Sequence, residues 1–296
     1  MTRDRRWPDF FLVGAMKAGT SSLYNYLGKH PNVFVPKPKE PHFFVCDSCR
    51  QRRLLISSSI ASESRYRDLF RDAGDDQLVG DFSVSNLWCE SAAQRIADRV
   101  PDAKIIAVLR NPIERCLSHY VMCVQQGLEH RSFSEAIDAE ITGRDRSFGY
   151  VEVGRYATQL ARYDSVFRDG QTRVLFYDDL VRNKVSLLDE ILMFIGVEGT
   201  IPAREIDFSA NTGGRLRGGL FAVLYKNRKY YLPYLSKVVP KSRRAKVRDA
   251  LFIERSRYPS MTDRDRARLA SVYASDIEAL TRRTGRDLSG WLGATG

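Results

Sequence analysis

The sequence has little of what cross-linked or metal-rich proteins use: its 296 residues include five cysteines and four histidines. An odd number of cysteines in a chain this long does not suggest a disulfide framework, so reduced thiols are expected. Cys46 and Cys49 form a CxxC, but the sequence shows no second pair or histidine cluster to complete a zinc site, and no metal is expected. An uninterrupted apolar run of about 18 residues, the length that crosses a bilayer, is also missing, so no integral membrane association is expected. Residues Met1 to Arg6 are polar and run straight into a strand-like segment without the apolar region of a signal peptide. These readings point to a soluble, cytoplasmic protein. Internal repeats, low-complexity tracts and linkers rich in Pro, Gly or Ser are absent too, which leaves a single domain spanning 1–296 as the expectation.

What is present is an ordinary globular composition, 43% hydrophobic and 28% charged, with a strong basic excess. The net charge of +11 favours an anionic partner: nucleic acid, a membrane surface, or a small molecule bearing several phosphates or sulfates. Thirteen Lys or Arg stand against two acids between Gly213 and Arg257. Residues 213–261 are also the least periodic part of the chain, and read as a cover segment over a site. The aromatic run FAVLYKNRKYYLPYL (221–235) within it suits core packing, a lipid surface or a gate for an apolar acceptor.

Four short apolar segments rich in β-branched or aromatic residues read as strands buried on both faces: FFLVGA (10–15), QLVGDF (77–82), AKIIAVLR (103–110) and TRVLFY (172–177). Helical spacing lies between and after them. Val185 to Ile195 repeats Leu187, Leu188, Ile191 and Leu192 before Gly196, and Asp263 to Arg283 follows the N-cap candidate Thr262 and precedes Gly285. The fold class expected is α/β, a P-loop-like three-layer sandwich with a central, mainly parallel sheet.

Directly after the first strand, Gly14 and Gly19 bracket four residues, and Thr20, Ser21 and Ser22 then open a helical pattern. Such a turn directs free backbone N–H groups and the positive end of a helix dipole at an anion. The Walker A pattern is nearly met, but Thr20 stands where its lysine should be, and Lys17 lies inside the loop instead. That displacement argues against an NTPase or kinase, which needs the lysine for its terminal phosphates. A second anion site is read at the end of AKIIAVL, where Arg110 precedes Asn111 and Pro112. These open a helix bearing Arg115, Ser118, His119 and Tyr120. Two separated anion sites imply a nucleotide phosphorylated at both ends.

Here the sequence resembles the sulfotransferases that use 3′-phosphoadenosine 5′-phosphosulfate (PAPS). VGAMKAGTSSLYNYLGKHP is similar to that family's 5′-phosphosulfate loop and LRNPIERCLSHY to its 3′-phosphate motif, in this order and roughly ninety residues apart. RVLFYDDL, a helix ending in FIGV, and DLSGWL extend the similarity along the chain. The resemblance implies that PAPS is the sulfuryl donor. It also implies that Lys17, Ala18, Gly19, Thr20, Ser21 and Ser22 hold the 5′-phosphosulfate, with Arg110 and Ser118 on the 3′-phosphate. KPKEPHFF looks like the KExxFF element of the heparan-sulfate-type branch, where the glutamate is the base. The catalytic candidates are therefore Glu40 as base, His42 as its alternative or support, and Lys17 for charge on the departing oxygen.

Tyr156, in GRYATQLARY, matches a family GxY pattern and is a candidate for packing at the site or for the core. The family's late basic loop has two competing counterparts, NTGGRLRGG (211–219) and RSRYP (255–259), so Arg215, Arg217 and Arg257 are carried as nucleotide contacts. Where the heparan-type branch has an acid, a lysine and Ser or Thr, this chain reads Asp81, Phe82 and Ser83, so a substrate-binding lysine is missing. The expected partner is a small-molecule or carbohydrate acceptor, sulfated on a hydroxyl or less readily an amine; lipid and small natural-product acceptors stay open. Nucleic acid is not expected. Two rivals are a nucleotide kinase of unusual motif and a non-catalytic module that binds nucleic acid through the basic stretch. The sequence does not indicate an oligomeric state.

Overall fold

The computed structural model of the chain describes residues 6–52, 59–206, 215–216, 253–254 and 260–293. Five strands make one parallel sheet: β1 (Phe10–Gly14), β2 (Val33–Phe34), β3 (Leu78–Asp81), β4 (Lys104–Leu109) and β5 (Thr172–Phe176), in spatial order β2-β3-β1-β4-β5. The four strands read from the sequence are present. The fifth, β2, has two residues, too short for an alternating pattern to show. β1 is buried along its whole length and β4 from its second residue onward, so both faces of the sheet are covered, as expected for parallel strands. The edge strand β5 is buried only at Leu175 and Phe176.

The chain winds from β1 outward to β2, returns to β3 beside β1, and then crosses to β4 on the other flank. This reversal brings the carboxyl ends of β1 and β4 side by side, the position where open α/β sheets leave a crevice for ligands. Each end runs directly into a turn and a helix: α1 (Thr20–Leu27) after β1 and α6 (Pro112–Gln125) after β4. Between them in the chain come α2 (Asp47–Arg50), α3 (Glu63–Asp68), α4 (Ser85–Trp88) and α5 (Ala92–Ala97). Asn111 caps α6 by accepting from Ile113 N at 2.9 Å, and Pro112 takes the first helical position, which needs no donor.

Further along lie α7 (Phe133–Ile141), α8 (Tyr156–Asp164), α9 (Tyr177–Arg182) and α10 (Lys184–Ile195), with Gly196 in the left-handed cap. The long final helix α11 (Asp263–Thr284) begins in a reciprocal Thr262–Asp265 capping box and ends at Gly285. Leu269, Tyr273, Ile277 and Leu280 form its buried stripe. Its Asp276 accepts from Ala157 N and Thr158 N at 3.0 and 3.3 Å, capping α8 from outside because no residue of α8 caps itself. Within 213–261, the described part is an antiparallel ladder, β6 (Arg215–Leu216) with β7 (Ile253–Glu254). The aromatic run 221–235 lies outside the described residues, as does the rest of that proposed cover up to residue 259.

Candidate active site

The turn after β1 takes a shape that its two special residues explain. Lys17 and Gly19 both have positive φ, 69° and 82°. A Cβ on Gly19 would meet Leu180 Cδ2 at 2.6 Å and Tyr177 Cδ2 at 3.2 Å, so glycine is required both for the backbone angle and for contact with α9. The strand end is anchored by Ala15 N donating to Val108 O at 2.7 Å, which ties the loop to β4. Thr20 and Ser21 are the first residues of α1, so their N–H groups have no helical carbonyl to reach and are free for an anion.

The two sequence-distant segments read as anion sites meet. Arg110, just past β4, donates from Nη1 to the Lys17 carbonyl at 3.3 Å and lies over the Tyr177 ring, 4.9 Å from its centroid. Burial first, and then the Arg110 charge, lower the Lys17 pKa. Tyr156 is fully buried, and its hydroxyl donates to the Arg110 carbonyl at 2.9 Å. Burial pushes its pKa up to about 12, which keeps it a donor. Tyr156 therefore steadies the strand end that presents Arg110. Ser118 is half-buried, two turns into α6.

Beneath the loop, Arg115 is entirely buried. Its Nη2 bonds the Tyr150 carbonyl, while Nε and Nη1 have no partner among the described residues. His119 is buried with both ring nitrogens equally unmatched, and its pKa is held well below the usual value by burial, Arg115 and Lys17. Lys17, Arg110 and Arg115 thus concentrate positive charge where little water screens it.

On the opposite side stands the loop after β2. Glu40 is bound at Oε1 by Lys39 Nζ at 2.6 Å, and its Oε2 lies 3.5 Å from His42 Nε2. Lys39 also reaches Thr20 Oγ1 at 3.4 Å and Ser21 Oγ at 3.2 Å, joining this carboxylate to the start of α1. Sequence reasoning did not single out Lys39, although it stands beside Glu40 in KPKEPHFF; its two hydroxyl partners are 18 and 19 residues away. His42 is buried with φ 51°, and Ser83 Oγ accepts from its N–H at 3.0 Å. Its Nδ1 is 2.6 Å from Ser85 Oγ. Burial lowers the His42 pKa against the opposing pull of Glu40.

Asp81 is buried and accepts from Ser83 N and Tyr66 OH, both at 2.7 Å. Phe82 packs edge-on to Phe10 and Tyr24 inside the core, so this position is part of the hydrophobic interior. Arg215 lies opposite Glu254 in the β6–β7 ladder, while Arg217 and Arg257 lie outside the described residues.

A parallel α/β sheet carrying a strand–loop–helix anion cradle beside a second basic strand end defines a P-loop-like nucleotide fold. Comparison with known proteins narrows this class. Residues 7–207 match the sulfotransferase domain, and the chain belongs to that family. It is similar to mouse heparan sulfate glucosamine 3-O-sulfotransferase 6, 28% identical over 210 residues, covering 71% of this chain and 58% of that protein. The crystal structure of a sulfotransferase from Alicyclobacillus acidocaldarius superposes with a TM-score of 0.70 at 29% identity, over 97% of this chain and 99% of that one.

A third relative corrects the expected compartment. The Dictyostelium discoideum membrane-associated sulfotransferase kil1 is 28% identical over 118 residues, 40% of this chain and 23% of that protein. Among the described residues no helix is long and apolar enough to cross a membrane. Similarity to a protein named for membrane association means that the cytoplasmic reading does not stand. The physical reason is that a tether can lie in another segment, leaving the composition of the catalytic domain unmarked.

Proposed function

We propose that the protein transfers the sulfuryl group of PAPS to a hydroxyl of a carbohydrate acceptor, releasing adenosine 3′,5′-bisphosphate. The observation that carries this reading is the Lys39 bridge, which holds Glu40 against the hydroxyls that open α1. A base thereby stands at the mouth of an anion cradle, the arrangement that in-line transfer from a bound donor requires. The 5′-phosphosulfate is assigned to Lys17, Ala18, Gly19, Thr20, Ser21 and Ser22, and the 3′-phosphate to Arg110 and Ser118.

Glu40 takes the proton of the acceptor hydroxyl as its oxygen forms the new bond to sulfur. The bond between sulfur and the bridging phosphate oxygen breaks, and Lys17 offsets the negative charge that collects there. The neutral imidazole of His42 is fixed at Nδ1 by Ser85 and faces Glu40 with Nε2, which orients the carboxylate. The heparan-sulfate relatives and the basic surplus of the chain support an anionic sugar over a neutral one. The acceptor contact cannot follow the heparan-type lysine, because Phe82 occupies that position within the core.

The test is incubation with sulfur-labelled PAPS and separate pools of uronic-acid oligosaccharides, neutral oligosaccharides and lipid extracts, followed by mass spectrometry. Label is expected in the uronic-acid pool. Label confined to lipid would overturn the carbohydrate reading, and label released only as free sulfate, with no sulfated product in any pool, would overturn sulfuryl transfer to an acceptor.

A further inference from the structure

Cys46 and Cys49 do not stand alone in the fold. Cys89, which follows α4, brings a third sulfur to them, and the three Sγ atoms lie within 4.8 Å of one another. Cys46 Sγ is 3.1 Å from Cys49 Sγ and 3.6 Å from Cys89 Sγ. Tetrahedral zinc with Zn–S bonds of about 2.3 Å sets sulfurs roughly 3.8 Å apart, and both distances from Cys46 differ from that spacing by less than about an ångström. We infer that Cys46, Cys49 and Cys89 form a binding site for a thiophilic divalent cation, zinc in the first instance, with its fourth position on the side of half-exposed Cys46.

The surroundings suit thiolates bound to such an ion. Cys46 N–H donates to Cys89 Sγ at 3.4 Å, and the Ser48 hydroxyl is 3.0 Å from Cys46 Sγ, the kind of outer hydrogen bonding that orients metal ligands. Three thiolates on a divalent ion leave a net negative charge, and guanidinium groups flank the cluster. Arg50 donates to Phe43 O at 3.1 Å, Arg95 to Val45 O at 3.0 Å and Arg162 to Trp88 O at 3.1 Å, while Arg52 stacks on Trp88. Arg50 and Arg52 are also paired with Asp47 and Glu152, so Arg95 and Arg162 are the guanidinium groups bound near the cluster that can offset the charge of a tris-thiolate complex.

The site also joins the right segments. Cys46 and Cys49 follow His42 in the chain, and Cys89 follows Ser85, whose hydroxyl holds His42 Nδ1. A cation there would pin the loop that carries Glu40 to the segment that orients His42. It takes no part in the transfer itself, so its test does not depend on the proposed reaction.

The full chain, purified with a reductant and without chelator, would be assayed for zinc by mass spectrometry. It would then be stripped and titrated with cobalt(II). The inference expects about one zinc per chain, an intense thiolate-to-cobalt charge-transfer band with tetrahedral d–d absorption, and a raised melting temperature on zinc return. Cys46→Ser and Cys89→Ser should each lose the band, while Cys116→Ala, on α6 and outside the cluster, should keep it. Should either serine variant fail to fold, titration of the wild-type chain decides alone. The inference is overturned if the reduced wild-type chain develops no thiolate–cobalt band, or if the folded serine variants retain it. Purification as a Cys46–Cys49 disulfide that takes up no metal after reduction overturns it equally.

Discussion

The loop that follows β1 is held by the sheet, whereas the loop that follows β2 is held by side chains. The first is fixed by Ala15 N on the carbonyl of Val108 in β4, by the tight fit of Gly19 on α9, and by Arg110 on the Lys17 carbonyl. The second depends on Lys39, Ser83 and Ser85, and begins from a strand of only two residues. The donor half is consequently part of the scaffold, while the acceptor half is attached to it. This division suits a family that keeps one donor and varies the acceptor, because the acceptor loop can change without disturbing the sheet.

The largest effect should come from separating the two halves chemically. Glu40→Gln removes the base and leaves the cradle, so turnover with PAPS should fall roughly 10²- to 10⁴-fold. Affinity for adenosine 3′,5′-bisphosphate in calorimetry should hold within about twofold. An equal loss in both would show that the halves are not independent. Lys39→Met attacks the link between them. Because Lys39 bonds both Glu40 and the hydroxyls of Thr20 and Ser21, bisphosphate affinity and turnover should each drop about tenfold, the scale of one charge-assisted hydrogen bond. A change in only one of them would assign Lys39 to that half.

The smallest effect is a proton. Burial and Arg110 lower the pKa of Lys17 in the folded chain, and a bound anion should raise it again. Bisphosphate binding should therefore take up protons at alkaline pH, in the window between the lowered and restored values, and affinity should weaken as pH rises through it. The same lowering means that the unfolded chain binds more protons there, so this group contributes stability that increases with pH. Calorimetry in buffers of different ionisation enthalpy would show the uptake, and Lys17→Met should abolish it.

The same contrast explains what could be read from residues alone. The β1 and β4 motifs are local: Gly14 to Ser22 and Arg110 to Ser118 are contiguous strings whose backbone sets the site, and the described strands end within a residue or two of the readings. The acceptor half depends on contacts that only folding creates. Glu40, the proposed base, stands within a motif, whereas Lys39 meets Thr20 and Ser21 only through folding. Tyr156 was ambiguous between the site and the core because its partner is a backbone carbonyl, which has no sequence signature. Cys46 and Cys49 looked like an incomplete pair for the same reason, since Cys89 is far along the chain and meets them only through the packing of α4.

The central claim is that the ends of β1 and β4 together form one site for a nucleotide phosphorylated at both ends. It is tested most directly by comparing the affinities of adenosine 3′,5′-bisphosphate and adenosine 5′-monophosphate for the wild-type chain and for Arg110→Ala. The account predicts that the wild-type chain prefers the bisphosphate by roughly 10- to 150-fold, the range of about 1.5–3 kcal/mol for hydrogen bonds to a charged group. Arg110→Ala should erase most of that preference; because Arg110 also holds the Lys17 carbonyl, the monophosphate should weaken too, but by less than the bisphosphate. Equal affinity for the two nucleotides in the wild-type chain would contradict the account.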